Sequence, residues 1–431
     1  MTDRPAAPPH PGAPTLAING ERLRASLLEL ARIGAYEDAA TGLVGVNRQT
    51  LTAADVEGRG RVIGWMREAG LAVSVDAMGN IFGRREGTAP DLAPVMAGSH
   101  VDTVATAGAF DGCLGVLGAI EVVRTLNERG LATRRPIVVA AFTEEEGVRF
   151  GTDMLGSAVA TGRIALADAH ALADAAGRRL GDELARTGFL GPGPARLAPP
   201  HAYLECHVEQ GPVLARAGCD IGVVTGVQAI SWQRVILHGR AAHAGTTPME
   251  LRVDAGLAAA RVVVHLRAMV DGGRYGRLRA NVGHIATSPG LPSVVPDRAE
   301  LTVDLRNPDD AAMARAEADL AAFLAALPGD QPGLRVETRR MAKTRQVPFS
   351  ARIQAEIAAA AADLGLPTMR LMSGAGHDAQ ELAAVAPTAM IFVRGEYDGI
   401  SHNPREYSTP EACARGIAVL GTTLLRLADE H

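Results

Sequence analysis

Short apolar runs alternate with helical patterns over residues 15–220, and each run leads into a polar loop. Unbroken apolar runs of this kind are typical of strands in a parallel sheet that is covered on both faces. The runs are PVMAGSH, PIVVAAF, AYLECH and, further along the chain, TAMIFV. GCLGVLGAIEVVRTLNERG has helical spacing and stops at Gly130, while LAVSVDAMGNIFGRR predicts a hairpin that turns at Gly79-Asn80. The pattern predicts an α/β fold with a mixed, largely parallel sheet flanked by helices.

The pattern changes near Asp220, where the signals follow in the order strand–helix–strand–strand–helix–strand. That order is typical of a ferredoxin-like α+β module, so we expect such a module to be inserted over residues 220–342. The patterns of the first domain then resume with ARIQAEIAAAAADLGL, TAMIFV and EACARGIAVLGTTLLRLADE. The sequence therefore predicts a first domain made of residues 15–219 and 343–431, an inserted domain, and a Pro-rich disordered tail over residues 1–14.

Composition narrows the class of protein. A chain of 431 residues is longer than one hydrophobic core usually serves, and 47% hydrophobic with 21% charged residues is typical of globular proteins. The net charge of −5 argues against nucleic acid or an anionic membrane as a partner. No apolar run approaches the roughly 18 residues of a membrane helix. Four cysteines do not make a disulfide framework, and the N-terminus lacks a signal-peptide layout, so we expect a cytoplasmic protein.

Five side chains that bind metals well lie in polar loops just after the apolar runs or close behind them. They are His100, Asp111, Glu146, His207 and His402. In parallel α/β sheets ligands collect outside the carboxyl ends of the strands, so these distant segments are expected to converge. Two imidazole-bearing half-sites that share one carboxylate would hold two divalent cations roughly 3.5–4 Å apart, as in two-metal hydrolases. A hydrolase is therefore the leading hypothesis.

Local spacing suggests a role for each candidate. His100 and Asp102 are two residues apart in extended chain, so the carboxylate is placed to accept the second imidazole N–H. Asp111 is suited to bridging because Gly112 lets the backbone approach closely, although capping of the following helix is the alternative. His207 would complete one metal shell with His100.

The acidic run TEEEG follows a buried strand, where three adjacent carboxylates need a compensating positive charge. Neighbours in extended chain face opposite ways, so Glu146 would bind a metal with His402 while Glu145 would act as the general base. An exposed acidic loop is the ordinary alternative. Imidazole and carboxylate ligands favour Zn²⁺, with Mn²⁺, Co²⁺ and Ni²⁺ as alternatives. Cys113 and Cys206 adjoin presumed ligands and are interpreted as buried free thiols.

Several motifs together resemble the hydantoinase/carbamoylase amidase branch of the M20 metallohydrolases. They are GSHVDTVATAGAFDGCLGV, FTEEEGVRFG, ECHVEQGPVL, GRAAHAGTTPMELRVDA, SGAGHDAQ and ISHNPREY. The resemblance runs from about residue 20 to the C-terminus. It places the five ligands and Glu145 on the family's ligand and base positions. It also implies a homodimer in which the inserted domain makes the contact and acts as a lid.

The same resemblance implies substrate-binding residues that the sequence alone signals weakly. His243 corresponds to a lid histidine that polarises the scissile carbonyl across the dimer, although on sequence alone a turn-capping histidine is equally plausible. Arg306 corresponds to an arginine that holds the substrate carboxylate, for which the guanidinium fork is well suited. Gln210 corresponds to a glutamine that contacts the substrate, and His377 lies in a Gly-rich loop that lines the pocket. Ser293 departs from the family, which usually has Asn at that place.

The expected reaction is hydrolysis of the ureido C–N bond of an N-carbamoyl-L-amino acid, giving the amino acid, ammonia and carbon dioxide. An allantoate amidohydrolase shares every motif, so it stays open as the nearest alternative. A dipeptidase or aminopeptidase of the wider group fits the motifs less well. A non-catalytic binding protein is disfavoured because all five ligands and the base are present. A serine hydrolase is disfavoured because no G-x-S-x-G elbow occurs.

Overall fold

The computed structural model describes residues 15–430, and the tail predicted over residues 1–14 lies outside that range. The chain divides into two compact units. One contains the residues up to Gly226 together with those from Pro348 onward, and the other is Val227–Val347. Among the described residues, none of the helices combines the length and the apolar character needed to cross a membrane.

The strands of the first unit form one large sheet and a small separate pair. They are β1 (Ala35–Glu37), β2 (Val44–Val46), β3 (Ala72–Val75), β4 (Ile81–Arg85), β5 (Val95–His100), β6 (Ile137–Phe142), β7 (Ala202–Val208), β8 (Ile221–Val227), β15 (Val347–Pro348), β16 (Thr368–Ser373) and β17 (Thr388–Val393). The large sheet has the order β15-β8-β17-β7-β5-β6-β4-β3, with β16 paired to β8. The predicted hairpin is confirmed, since β3 and β4 pair antiparallel.

The centre of the large sheet explains why these strands are apolar. Strands β17, β7, β5 and β6 are parallel to their neighbours in this block, and every residue in them is buried. Their register brings His100 opposite Phe142 and His207 opposite Phe392. Antiparallel strands β8 and β4 flank the block. The predicted mixed, largely parallel sheet is confirmed, and its parallel strands end on a common edge.

Helices cover this sheet. They are α1 (Gly20–Arg32), α2 (Ala53–Glu68), α3 (Cys113–Glu128), α4 (Leu155–Thr161), α5 (Leu166–Ala171), α6 (Leu180–Thr187), α7 (Val213–Ala217), α10 (Ala351–Asp363), α11 (Asp378–Leu382) and α12 (Pro410–Asp429). Helix α3 is buried along nearly its whole length, which fits its unbroken apolar sequence. Helix α12 begins at a sequence signal: the Thr409 side chain accepts the amide hydrogen of Ala412, and Pro410 occupies the first position.

The second unit is a four-stranded antiparallel sheet with two helices. Its elements are β9 (Ala229–His238), β10 (Ala242–His243), α8 (Ala255–Asp271), β11 (Arg279–Ser288), β12 (Val294–Val295), β13 (Arg298–Asn307), α9 (Asp310–Asp330) and β14 (Arg335–Thr344). The sheet order is β11-β13-β9-β14, and β10 pairs with β12 beside it. Asp254 and Asp309 cap the two helices. One apolar cluster fills the space between helices and sheet. The order of elements is that of a ferredoxin-like module.

Candidate metal centre

The ends of four neighbouring parallel strands bring the predicted ligands to one place. His100 is the last residue of β5, and His207 is the last but one of β7. Glu146 follows β6 in the loop that contains TEEEG, and His402 follows β17 after a short 3-10 helix at Tyr397–Gly399. His100 and His207 are buried, while His402 is about half exposed, at 48% of its side chain.

Asp111 lies between the two pairs of ligands. Its Oδ1 is 3.0 Å from Nε2 of His207 and 3.5 Å from Nε2 of His100. Its Oδ2 is 3.5 Å from Nε2 of His402, and that imidazole is 3.4 Å from Oε2 of Glu146. One carboxylate therefore turns one oxygen towards each half of the cluster, which is the geometry that a bridging ligand requires.

The donor atoms fall into compact groups. In each of the groups His100–Asp111–His207 and Asp111–Glu146–His402, the ligand atoms lie within 4.8 Å of one another, and His100, Glu145 and Glu146 form a third such group. Oε1 of Glu146 is buried without a hydrogen-bond partner among the described residues. Such an atom is costly unless something binds it. The donor set and this buried oxygen fit divalent cations.

Burial and charge act in opposite directions on these groups. Burial is the main reason that the pKa of Glu145 stands well above its usual range, and it raises the pKa of Glu146 to about 7. Burial also opposes the charge on Asp111, but the facing imidazoles, first of all His207, hold its pKa well below the usual range. Contact with Asp111 is the main cause that raises the pKa of His402 to about 9. A bound cation would supply the positive charge that the carboxylates lack, and the imidazoles would then ligate in their neutral form.

Asp102 contacts His100 through a different atom from the one that the sequence predicted. The Nδ1 of His100 contacts the backbone carbonyl of Asp102 at 3.0 Å, whereas the Asp102 carboxylate lies 4.0 Å from that nitrogen, beyond hydrogen-bond distance. The carboxylate instead accepts the amide hydrogens of Glu145 and Glu146 at 3.4 and 3.3 Å. The i, i+2 spacing brings Asp102 to His100, but the carbonyl is the closer acceptor. Asp102 thus orients the imidazole through its backbone and the acidic loop through its side chain.

The three adjacent glutamates face different partners. Glu144 has a left-handed backbone, with φ of 57°, and its carboxylate accepts the amide hydrogens of Arg149 and Phe150. Glu145 turns into the cluster, where its Oε2 lies 3.5 Å from Nε2 of His100. Glu146 points to His402. The acidic run is therefore buried, and each of its three carboxylates has a different partner.

Gly112 lets the Asp111 loop approach His100. Its φ is +63°, and a Cβ atom at this position would lie 2.4 Å from two atoms of the His100 ring. Its amide donates to Nε2 of His207 at 3.0 Å. Both the backbone conformation and the space therefore require glycine.

We expect Gly112→Ala to weaken metal binding and to lower the free energy of unfolding. The matched control is Gly130→Ala, which has nearly the same φ of +62° but open space around it. Both variants incur the cost of a positive φ for a residue with a Cβ atom, about 1–2 kcal/mol in the left-handed helical region. Gly112, with ψ of −47°, lies outside that region. This ψ and the clash with His100 should together add about 1–3 kcal/mol to Gly112→Ala alone. Urea denaturation of the metal-free proteins measures the difference, and equal losses in the two variants would contradict the steric explanation.

Other residues surround the ligands. Gln210, with φ of 56°, donates from Nε2 to Oδ2 of Asp111 at 2.8 Å, so here it contacts a ligand. His377 is buried with its ring 4.6 Å from the ring of His207, and burial lowers its pKa well below the usual range. Cys113 and Cys206 are buried free thiols outside the donor groups found in residues 15–430.

Sequence reasoning missed four polar residues around the centre. Glu406 accepts the amide hydrogens of Phe110 and Asp111, and Ser401 contacts both Glu406 and Asp111. Deeper in the unit, Glu205 accepts hydrogen bonds from Ser99 and from the amide of Ala379, and Asp378 accepts one from Ser157. All four lie inside motifs that carry ligands or pocket residues. The signal that could have found them is the density of acidic and hydroxyl side chains around ISH, GHD and ECH.

In the second unit, His243 is the exposed last residue of β10, at the start of a turn. Its Nδ1 accepts the amide hydrogens of Gly245 and Thr246 at 3.0 and 3.2 Å, so the turn-capping contact is present. A neutral ring with an acceptor Nδ1 carries its hydrogen on Nε2, which leaves that N–H as a donor. The pairing of β10 with β12 brings Ser293 beside this turn, where its carbonyl accepts from Ala244.

Arg306 lies on β13 of the same unit. Its Nε is 3.0 Å from Oδ2 of Asp304, and its guanidinium carbon lies 6.0 Å from the ring centre of Trp232. The side chain is partly exposed, at 24%. Strand, acid and ring together hold the guanidinium in a defined position.

Known proteins resemble the chain along nearly its whole length. Residues 96–426 match peptidase family M20/M25/M40. The N-carbamoyl-L-amino-acid amidohydrolase of Rhizobium meliloti is 42% identical over 417 residues, which cover 96% of this chain and 97% of that protein. The enzyme of the same name from Geobacillus stearothermophilus is 40% identical over 420 residues, covering 96% and 99%.

A solved structure extends the likeness to the fold. The hydantoinase/carbamoylase family amidase of Burkholderia multivorans superposes with a TM-score of 0.86 at 41% identity, covering 97% of this chain and 100% of that one. The chain therefore belongs to the M20 metallohydrolase family, in its hydantoinase/carbamoylase amidase branch, and is a hydrolase that acts on C–N bonds.

Proposed function

We propose that the protein hydrolyses the ureido C–N bond of an N-carbamoyl-L-amino acid, with release of the amino acid, ammonia and carbon dioxide. The observation that carries this proposal is the position of Asp111, whose two oxygens face separate groups of ligands with Glu145 beside them. The names of the relatives at 40–42% identity support the substrate class.

Two divalent cations fit the proposed centre. His100, Asp111 and His207 would hold one, and Asp111, Glu146 and His402 the other. Imidazole and carboxylate ligands favour Zn²⁺, with Mn²⁺, Co²⁺ or Ni²⁺ as alternatives. When bound, such cations lower the pKa of water and polarise a carbonyl oxygen.

Glu145 is the group that moves the proton. Its carboxylate reaches the centre from the loop after β6, and Asp102 holds its amide. In the proposed reaction Glu145 accepts a proton from the attacking water and delivers it to the leaving nitrogen, as a general base and then a general acid. Burial of the carboxylate keeps bulk water from taking that proton.

The second unit is proposed to bind the substrate and to join two copies of the chain. The family resemblance supports a homodimer through this unit, in which it acts as a lid. His243 would donate from Nε2 to the developing oxyanion, and Arg306 would bind the substrate carboxylate. Gln210, His377 and Ser293 would line the pocket, with Ser293 offering a shorter side chain than the usual Asn.

We expect Arg306→Ala to raise KM for an N-carbamoyl amino acid by about 10- to 100-fold, because a charge-assisted hydrogen bond to the carboxylate is lost. The KM for the corresponding amino acid amide, which lacks that carboxylate, should change much less. Arg339→Ala is the matched control, since Arg339 also pairs with an acid two residues before it on a strand of this unit. Equal effects on the acid and the amide would remove the assignment.

The function itself is tested by ammonia release. Metal-loaded protein is offered N-carbamoyl-L-amino acids with different side chains, allantoate and dipeptides. Turnover of N-carbamoyl amino acids at the highest kcat/KM is expected, and Glu145→Gln serves as the control for contaminating activity. Preference for allantoate would favour the alternative within the branch. Dipeptide cleavage without ammonia from any ureido compound would overturn the proposal.

A further inference from the structure

Glu406 is a buried carboxylate that lies four residues after the ligand His402. Its side chain contacts three groups on two loops that can donate hydrogen bonds. The amides of Phe110 and Asp111 donate to its Oε1 at 2.7 and 3.0 Å, and Ser401 Oγ lies 2.9 Å from its Oε2. Two of these donors are 295 and 296 residues away in sequence, so the contact joins distant segments.

Ser401 continues this contact to the proposed bridging ligand. Its Oγ lies 2.7 Å from Oδ2 of Asp111, the same oxygen that receives Nε2 of Gln210. Glu406 therefore touches Asp111 twice, directly at the backbone amide and through Ser401 at the carboxylate. The Asp111 side chain, held at its backbone amide and at its carboxylate, can therefore rotate little about its torsions.

The two loops are also fitted to each other around Glu406. Gly108 passes so close that a Cβ there would lie 2.4 Å from Cβ of Glu406. The hydroxyl of Thr106 donates to the carbonyl of His402 at 3.0 Å. The loop of Asp111 and the loop of His402 thus form one hydrogen-bonded assembly with Glu406 at its centre.

We propose that Glu406 is a positioning residue for the metal centre, and that together with Ser401 it sets the orientation in which Asp111 serves both metals. This inference rests on the two-metal centre proposed above. Loss of Glu406 would release the Asp111 peptide and the Ser401 hydroxyl together. The half-site of His402 should lose the most metal affinity. Glu406 lies on the same loop as His402, and Ser401 contacts the Asp111 oxygen that faces His402.

The substitution Glu406→Gln separates this role from a simple need for a buried side chain. Ser401 has one hydroxyl hydrogen for two carboxylate oxygens. The carbonyl of the introduced glutamine would keep accepting the two amides. Its NH₂ group would donate to Ser401 Oγ, which leaves the hydroxyl hydrogen for Asp111. An alanine at the same position offers neither contact.

The test measures Zn²⁺ binding to metal-free protein by competition with a chromophoric chelator. Wild type is expected to bind two equivalents, Glu406→Gln to bind nearly as tightly, and Glu406→Ala to lose about 10- to 100-fold in affinity for at least one. Glu411→Ala, which removes an exposed carboxylate five residues on, is the control and should bind as wild type. Thermal unfolding of the metal-free proteins verifies that each variant is folded.

If Glu406→Ala does not fold, Ser401→Ala replaces it in the same measurement. This variant should also bind Zn²⁺ more weakly than wild type. Wild-type affinity in Glu406→Ala, or in Ser401→Ala when that variant stands in for it, would overturn the proposal. So would equal losses in the Gln and Ala variants of Glu406. A wild type that binds no Zn²⁺ at all would instead remove the two-metal centre itself, so the two failures are distinguishable.

Discussion

Glu145→Gln is expected to lower kcat by about 10²- to 10⁴-fold, the range that a positioned general acid–base contributes. Glutamine keeps the size of the side chain but cannot accept the proton from water or return it to the leaving nitrogen. Metal binding should be retained, because the two groups that share Asp111 consist of other side chains. The measurements are kcat on an N-carbamoyl amino acid and metal content on the same preparation.

Its two neighbours in sequence are the controls for this variant. Glu144→Gln removes a buried carboxylate of the same loop whose partners are the amides of Arg149 and Phe150, and a glutamine oxygen can still accept from them. That variant should therefore stay active. Glu146→Gln should lose metal together with activity. Near-normal turnover in Glu145→Gln, or loss of its metal, would reject the role of Glu145 as a base.

The sequence predicted the parts of the centre that depend on the ends of strands. His100, His207 and the acidic loop each follow an apolar run, and the runs become the parallel centre of the sheet. Because parallel strands end on one edge, position after a strand was enough to predict convergence. The close approach of the backbone at Gly112 was also expected, since a glycine directly after a ligand leaves room for it.

The details that sequence could not supply depend on which atom of a residue makes a contact. Asp102 was expected to reach His100 with its carboxylate, but its carbonyl does so, and spacing along a strand does not distinguish the two. Glu406 contacts the loop of Asp111, which lies nearly 300 residues earlier in the sequence. A local sequence pattern cannot predict a hydrogen bond between a side chain and so distant an amide. Such contacts depend on how the two loops pack against each other in the folded chain.

The electrostatics of the centre explain why metal and fold are expected to depend on each other. Burial raises the pKa of Glu145, Glu146 and Glu406, the last to about 7. In each case the negative charge of a neighbouring carboxylate raises the pKa further. The protein therefore collects negative charge in a place where charge is costly. A cation that binds only the folded state adds its binding free energy to stability. At a free concentration 100 times its Kd, one such ion adds about 2.7 kcal/mol.

Asp111→Asn should abolish simultaneous binding of two metals and with it most of this stabilisation. The amide keeps the shape of the carboxylate but offers one oxygen, and its NH₂ group would face either the imidazoles of His100 and His207 or the donors Gln210 and Ser401. Metal affinity should fall by more than the roughly 10- to 100-fold that loss of an outer partner costs.

Thermal unfolding with and without a chelator measures the effect of this change. Wild type and the exposed-site control Asp168→Asn should both lose stability when the metal is removed, whereas Asp111→Asn should respond far less, because it holds little metal to lose. Turnover of the variant should fall in parallel with its metal content. Two bound equivalents in Asp111→Asn, with the same response to chelator as wild type, would show that no carboxylate bridge joins the two half-sites, and the His100 and His402 groups would then have to bind their ions independently.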